Sequence, residues 1–290
     1  MKPFHEYIFC VFACDTIEKY KKQIHKIEET WGQGGKAPDR QGGFTVGAEG
    51  PFASDRQDAD GAEGPHHKGP DNQGSDKVLF FLGESGPLVG ENYIRLENVG
   101  DDYLSAADKQ YLGIKYIYEN YDFNFLYFCG TDTFVLVDNL KKYVRDNNID
   151  PNDFIVVGGH GDNRMFREVN VHFFSGGAGM LLTKSTVKSI YPQLHTFQEE
   201  WRDTCVACNC VTYIPACDVS ICYFLKMYNI RFHNAHNRFF NCNYLGNNTT
   251  PRGIIPCCTR TVDINTMIAC HGMSLEEFDT FHTILSVKGT

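Results

Sequence analysis

The first apolar run of the chain, Tyr7-Ile8-Phe9-Cys10-Val11-Phe12-Ala13, has strand length and no polar alternation, which predicts a strand buried on both faces. Ile17, Tyr20, Ile24, Ile27 and Trp31 then recur at steps of three and four, the spacing of one helix face, and Asp15 with Glu18 three residues on has the form of a capping box. Lys77–Leu82 reads as a second strand, and Tyr103, Ala107, Tyr111, Ile114 and Tyr118 trace one face of a second helix. Phe123–Cys129 is a further buried strand, and Phe134–Val137 continues after a short break. A helical stretch at Asp138–Val144 and a strand at Phe154–Val157 follow. Strands interleaved with helices predict a mostly parallel central sheet flanked by helices, an α/β fold whose ligands bind at the carboxyl ends of the strands.

Between Gln33 and Asp76 this patterning stops. The segment is Gly, Pro, Asp and Gln with few apolar residues, and Gly-Ala-Glu-Gly-Pro occurs at both 47–51 and 61–65. Such a composition does not offset the entropy of ordering, so residues 33–76 read as a low-complexity, disordered insertion, and His66-His67 within it as solvated side chains. The organisation that follows is a first strand and helix at 1–32, the insertion, and the remainder of the same domain at 77–290, with a Cys-rich C-terminal part.

Composition narrows the classes. The 290 residues are 42% hydrophobic, enough for a sizeable core, and a formal charge of -9 argues against a nucleic-acid partner. Cys205, Cys208, Cys210, Cys217, Cys222, Cys242, Cys257, Cys258 and Cys270 crowd the last third, which favours disulfides in an oxidising compartment over a zinc site at Cys205, Cys208 and Cys210. Two overlapping sequons in Asn247-Asn248-Thr249-Thr250 agree with a secretory route. No signal peptide or membrane-length apolar span precedes the first strand, so the expectation is either an anchor missing from this chain or a cytosolic protein.

Three features are candidates for chemistry. Asp132 follows a buried strand in Gly130-Thr131-Asp132, where a carboxylate would hold Mn²⁺ or Mg²⁺ against a diphosphate, or simply close a turn. Ser175-Gly176-Gly177-Ala178-Gly179 lies between apolar runs and suits a backbone that must come close to a ligand or another chain. Asp218 opens a helix containing Val219, Cys222, Leu225 and Tyr228, either as an N-cap or as a general base toward a hydroxyl. His233 follows in Arg231-Phe232-His233, as a metal ligand or an ordinary histidine.

In order along the chain, Glu29-Thr30-Trp31-Gly32, Lys77-Val78-Leu79-Phe80-Phe81, Tyr103-Leu104 with Lys109, and Asp132–Leu140 resemble segments of the Fringe-like glycosyltransferases of family 31. Phe174–Lys184, Cys217-Asp218-Val219, Phe232-His233 and Cys257-Cys258 continue the series, which is most similar to the core 1 β1,3-galactosyltransferase branch. The resemblance implies a GT-A nucleotide-diphospho-sugar transferase fold, UDP-galactose as donor and an O-linked N-acetylgalactosamine on a glycoprotein or glycopeptide as acceptor. It also implies Mn²⁺, an inverting mechanism and the lumen of the Golgi or endoplasmic reticulum. Asp132 and His233 would bind the metal and Asp218 would be the base, while Lys109, Thr131, Gly176, Gly177, Ala178 and Gly179 would face the nucleotide and donor. A homodimer, or a chaperone paired with a client transferase, is the implied partnership. The chain departs from the family's three consecutive aspartates, having Gly130-Thr131-Asp132, and has Cys217 where the family has Glu. A catalytically silent relative acting as a chaperone for a core 1 enzyme is therefore the alternative.

Overall fold

The computed structural model describes residues 1–33, 75–159, 161–208, 216–240 and 264–288. Most of the expected insertion lies outside them, as do the sequons and Cys210, Cys242, Cys257 and Cys258. Strand β1 (Phe4–Phe12) leads into α1 (Glu18–Glu29) and a 3-10 turn at Trp31–Gln33. Then come β2 (Lys77–Leu82), β3 (Tyr93–Arg95), α2 (Ser105–Asn120), β4 (Asp122–Gly130), β5 (Thr133–Val135) and α3 (Val137–Asp146). The second half holds β6 (Ile155–Gly158), β7 (Asp162–Phe166), β8 (Val169–Phe173), β9 (Met180–Thr183), α4 (Lys184–Ile190), α5 (Leu194–Cys208) and α6 (Cys217–Met227). Strands β10 (Arg231–Asn234), β11 (Phe239–Phe240) and β12 (Ala269–His271) and helix α7 (Leu275–Lys288) complete it.

Seven strands form the central sheet in the order β10-β6-β9-β4-β1-β2-β3. Every neighbouring pair is parallel except those of β9, which runs against both β4 and β6. The α/β class with a mostly parallel sheet flanked by helices is thus what the apolar runs predict. Successive β1 side chains alternate between two cores: Tyr7, Phe9 and Val11 pack on one face with Ile24, Ile27 and Trp31, whereas Ile8 and Cys10 pack on the other with Tyr111 and Ile114. Burial on both faces explains the lack of polar alternation in β1 and β4.

The reversed β9 matters for the site. Its N-terminal end, rather than its C-terminal end, arrives at the edge where β1, β2, β4 and β6 finish, so the loop Gly176–Gly179 that precedes it lies along that edge. A second sheet, β11-β12-β5, then brings the chain's C-terminal part to the same place, with His271 paired antiparallel to Thr133.

Two local expectations are corrected. Asp15 caps no helix: α1 starts at Glu18 after Ile17, and the Asp15 carboxylate instead forms a two-pronged ion pair with Arg95 and accepts from the Leu88 N–H at 2.7 Å. Asp218 is not an N-cap either, because Ala216 holds that position and Asp218 stands inside the first turn of α6. Among the cysteines, Cys10, Cys14, Cys129, Cys217 and Cys222 carry free thiols. Ser75 and Asp76 are part of the packed domain, with the Asp76 carboxylate 2.7 Å from Lys141 Nζ. No helix among the described residues is long and apolar enough to cross a membrane.

Candidate functional site

The site is assembled from three separate parts of the chain. Strand β4 ends at Gly130, and the turn Thr131-Asp132 carries the backbone into β5, whose pairing with β12 sets His271 beside Asp132. His271 Nε2 is 3.2 Å from Asp132 Oδ1. The Met273 N–H also donates to the Asp132 carbonyl, at 3.0 Å, so the turn is fastened to the C-terminal segment by main chain as well. Burial alone would push the Asp132 carboxyl up, but the hydrogen bond and charge of His271, with a smaller pull from Lys19, hold it below its ordinary value.

Gly176 and Gly177 separate this pair from Asp218. The Gly176 N–H donates to Asp218 Oδ2 and the Val219 N–H to Oδ1, each at 2.9 Å. A Cβ on Gly176 would come within 2.8 Å of Asp218 Cβ, and one on Gly177 within 2.4 Å of the His271 ring. Only hydrogen fits at either position, which is the physical reason for a Gly-Gly pair here. Thr133 Oγ1 donates to the Gly177 carbonyl and Tyr127 Oη to that of Ala178, both at 2.6 Å, while the Gly179 N–H closes the turn onto Gly176 O. The loop is therefore held from below on one side of the edge, with a carboxylate on one flank and a carboxylate–imidazole pair on the other. Burial pushes the Asp218 carboxyl up, and the two N–H groups and the charge of Arg164 only partly offset it.

The structure does not bring His233 to Asp132. His233 sits on β10, and β6 and β9 stand between β10 and β4, a separation of roughly 14 Å at three strand spacings. Its Nε2 is 2.9 Å from Tyr143 Oη of α3, and burial, with the charge of Arg231, lowers its pKa. The imidazole against Asp132 is His271, a residue that sequence reasoning missed: it follows a short apolar stretch with no spacing motif, and the β5-β12 pairing that places it is not visible in local pattern.

Thr131 and Lys109 face inward. Thr131 Oγ1 donates to Gln23 Oε1 of α1 at 2.9 Å, so its side chain is turned away from the edge. Lys109 is buried, with Nζ donating to the Ala13 carbonyl at 2.7 Å and to Asp101 Oδ1 at 2.6 Å. Its effect is to brace Asp101, which also accepts from Thr16 Oγ1 and from the Gly83 N–H. Asp101 lines an open cleft of about 510 Å³ beyond the ends of β1 and β2, together with Thr16, Glu84, Ser85, Asn98, Val99 and Gly100. A second hollow of about 330 Å³, lined by Lys2, Tyr118, Tyr121 and Lys184 among others, lies at the amino ends of the strands, away from this chemistry.

Two donors about 3 Å apart are spaced as neighbouring ligands on one octahedral ion with bonds near 2.1 Å would be. Asp132 Oδ1 and His271 Nε2 fit that spacing, and the remaining ligands would have to come from a diphosphate and water. Among the described residues no group of three His, Cys, Asp or Glu side chains is close enough to hold a metal by itself.

No protein-family model matches the chain, and no curated protein matches it. Among solved structures it is similar to a glycosyltransferase involved in glycosylation of the major capsid of PBCV-1, at 14% identity over 66% of this chain and 82% of that one, TM-score 0.39. It is similar to the glycosyltransferase GlyE of Streptococcus pneumoniae TIGR4 at 9% identity and TM-score 0.47, over 98% of this chain but 63% of GlyE, less than two thirds of its length. The galactosyltransferase LgtC, solved with donor and acceptor sugar analogs, matches at 11% identity over 96% of this chain and 95% of its own, TM-score 0.45. These likenesses are distant, and function has to be read from the side chains at the sheet's edge.

Proposed function

We propose that the chain is an inverting glycosyltransferase with a GT-A arrangement, moving galactose from UDP-galactose to the 3-hydroxyl of an O-linked N-acetylgalactosamine. The observation that carries this reading is the convergence of Asp218 and the Asp132–His271 pair on either side of Gly176-Gly177, at the carboxyl edge of a mostly parallel sheet. Ligands of such sheets bind there. The donor and acceptor sugars and the β1,3 linkage follow the resemblance to the core 1 branch.

In this reading the nucleoside occupies the cleft braced by Asp101 and Lys109, and the diphosphate lies toward Asp132 and His271. A bound Mn²⁺ would neutralise charge on the departing UDP. Asp218 takes the proton from the acceptor hydroxyl. The new bond forms between that oxygen and the anomeric carbon as the carbon–oxygen bond to UDP breaks, and UDP leaves with the electron pair, inverting the centre. A carboxyl raised by burial is matched to this task, since a base works best with a pKa nearer the working pH. The Gly176 and Val219 N–H groups hold the carboxylate in one orientation, so little is lost in positioning it.

One observation favours a second reading, a catalytically silent chaperone of a core 1 transferase. Asp132 is the sole carboxylate of its turn, and Thr131 beside it is committed to Gln23. The test is UDP release from UDP-galactose with an N-acetylgalactosaminyl peptide and Mn²⁺. Turnover by the wild type that is abolished in Asp218→Asn supports the transferase; no turnover together with capture of a client transferase supports the chaperone.

A further inference from the structure

We infer that Tyr103 and Arg164 form an acceptor subsite beside Asp218 that selects an acidic glycopeptide, Tyr103 receiving the sugar ring and Arg164 a carboxylate of the neighbouring peptide. The inference rests on the transferase reading and specifies its acceptor.

The hairpin β7-β8 supplies the cation. Phe166 is turned into the body, its ring 5.1 Å from that of Tyr223 and 6.1 Å from that of Phe224 on α6. Period-two alternation puts Arg164 on the same face, two residues nearer the start of β7. Its guanidinium lies 5.4 Å from the ring centroid of Phe173, which leads directly through Phe174 and Ser175 to Gly176. Stacking on a ring orients the planar fork while leaving its N–H groups open. Arg164 is exposed, and among the described residues it has no ion-pair or hydrogen-bond partner, whereas Arg167 on the same hairpin is paired with Glu200. Its charge reaches both the Asp218 carboxyl and the Tyr103 phenol.

Tyr103 comes from the other side. It is 72% exposed. A turn bonded from Ala106 N to Tyr103 O joins it to the start of α2, whose Gln110 side chain donates to the Cys217 carbonyl at 3.4 Å. Tyr103 thus stands just before α2, and Gln110 ties that helix to the N-terminus of α6, from which Asp218 projects. The charge of Asp218 also acts on its phenol. An exposed aromatic face suits the apolar face of a sugar, and a preoriented unpaired guanidinium suits a carboxylate, which it can bind through two parallel hydrogen bonds. The chain's charge of -9 would otherwise disfavour an acidic partner, so this guanidinium, unpaired among the described residues, decides the local preference at physiological salt, where the screening length is about 8 Å.

The test uses two N-acetylgalactosaminyl-threonine peptides identical except for Glu or Gln beside the sugar-bearing residue. Their binding, and separately that of UDP with Mn²⁺, is measured by calorimetry or chemical-shift titration. Wild type should bind the Glu peptide about fivefold tighter, in keeping with an exposed charge-assisted contact, and lose that preference in 0.5 M salt, at roughly a 4 Å screening length. Arg164→Gln should abolish the preference and leave UDP binding unchanged, and Tyr103→Ala should weaken both peptides alike. Equal binding of the two peptides, binding of neither, or a uniform loss in Arg164→Gln overturns the subsite. UDP binding retained in those cases leaves the transferase reading standing, whereas a wild type that binds no UDP overturns that reading and the subsite with it.

Discussion

Asp218 shows most directly how one side chain divides between stability and chemistry. Its folded-state pKa is raised chiefly by burial, so the folded chain holds the proton more tightly than the unfolded chain does. Stability should then fall as pH rises from the ordinary carboxylate range through the raised value, and be level above it. Asp218→Asn carries no such penalty, though it forfeits one of two N–H contacts, at a cost of about 1 kcal/mol. Urea unfolding at pH 4 and pH 7 should therefore show the variant gaining on wild type as pH increases; a constant or opposite difference would mean the carboxyl is not destabilised by its surroundings. The two histidines make a second contrast. His271→Ala should weaken Mn²⁺-dependent UDP binding tenfold or more, on the scale of a lost ligand or its supporting partner. His233→Ala should leave it unchanged and cost about 1 kcal/mol for the Tyr143 contact. Equal effects in the two variants would discard the assignment of His271 to the site.

At the scale of elements, the edge of the sheet is held by loops tied to one another through buried charge. Asp15 after β1 grips Arg95 of β3, and the same guanidinium donates to the carbonyls of Gly83, Ser85 and Leu88, so the loop between β2 and β3 and the loop after β1 depend on one pair. Burial raises the Asp15 carboxyl but the bond to Arg95 outweighs it, and the group sits below its ordinary value. Removing one partner of a buried pair strands the other. Asp15→Ala should cost about 3 kcal/mol and loosen the cleft, visible as weaker UDP binding by calorimetry alongside a lower urea midpoint. A variant that loses stability while binding UDP normally would show that the Asp15–Arg95 pair supports the fold without shaping the cleft. Helix α2 plays a related part: the consecutive residues Lys109, Gln110 and Tyr111 reach Asp101, the Cys217 carbonyl and Ser220, linking the cleft wall to the helix that carries Asp218.

For the whole molecule, protection should follow depth in the sheet. Strands β1 and β4 are covered on both faces and hydrogen-bonded on both sides, so their amides should exchange slowest, at the free energy of global unfolding. Among the described residues the β7-β8 hairpin pairs only with itself and exposes Met165 and Val169, and it should exchange orders of magnitude faster; comparable protection in hairpin and core would contradict this division. The same distinction separates what was legible in the chain from what was not. Apolar runs and helical periodicity alone specified the class of fold, the strands that became β1, β2, β4 and β6, and the Gly-rich loop, because burial on one or two faces is written into local pattern. Asp132 and Asp218 were legible as candidates because each stands where an apolar element begins or ends. The reversal of β9, the pairing of β5 with β12, the placing of His271 rather than His233 beside Asp132 and the capture of Asp15 by Arg95 were decided only by the tertiary structure. Each joins residues distant in sequence, and no spacing rule records which distant groups a folded sheet will bring within a few ångströms.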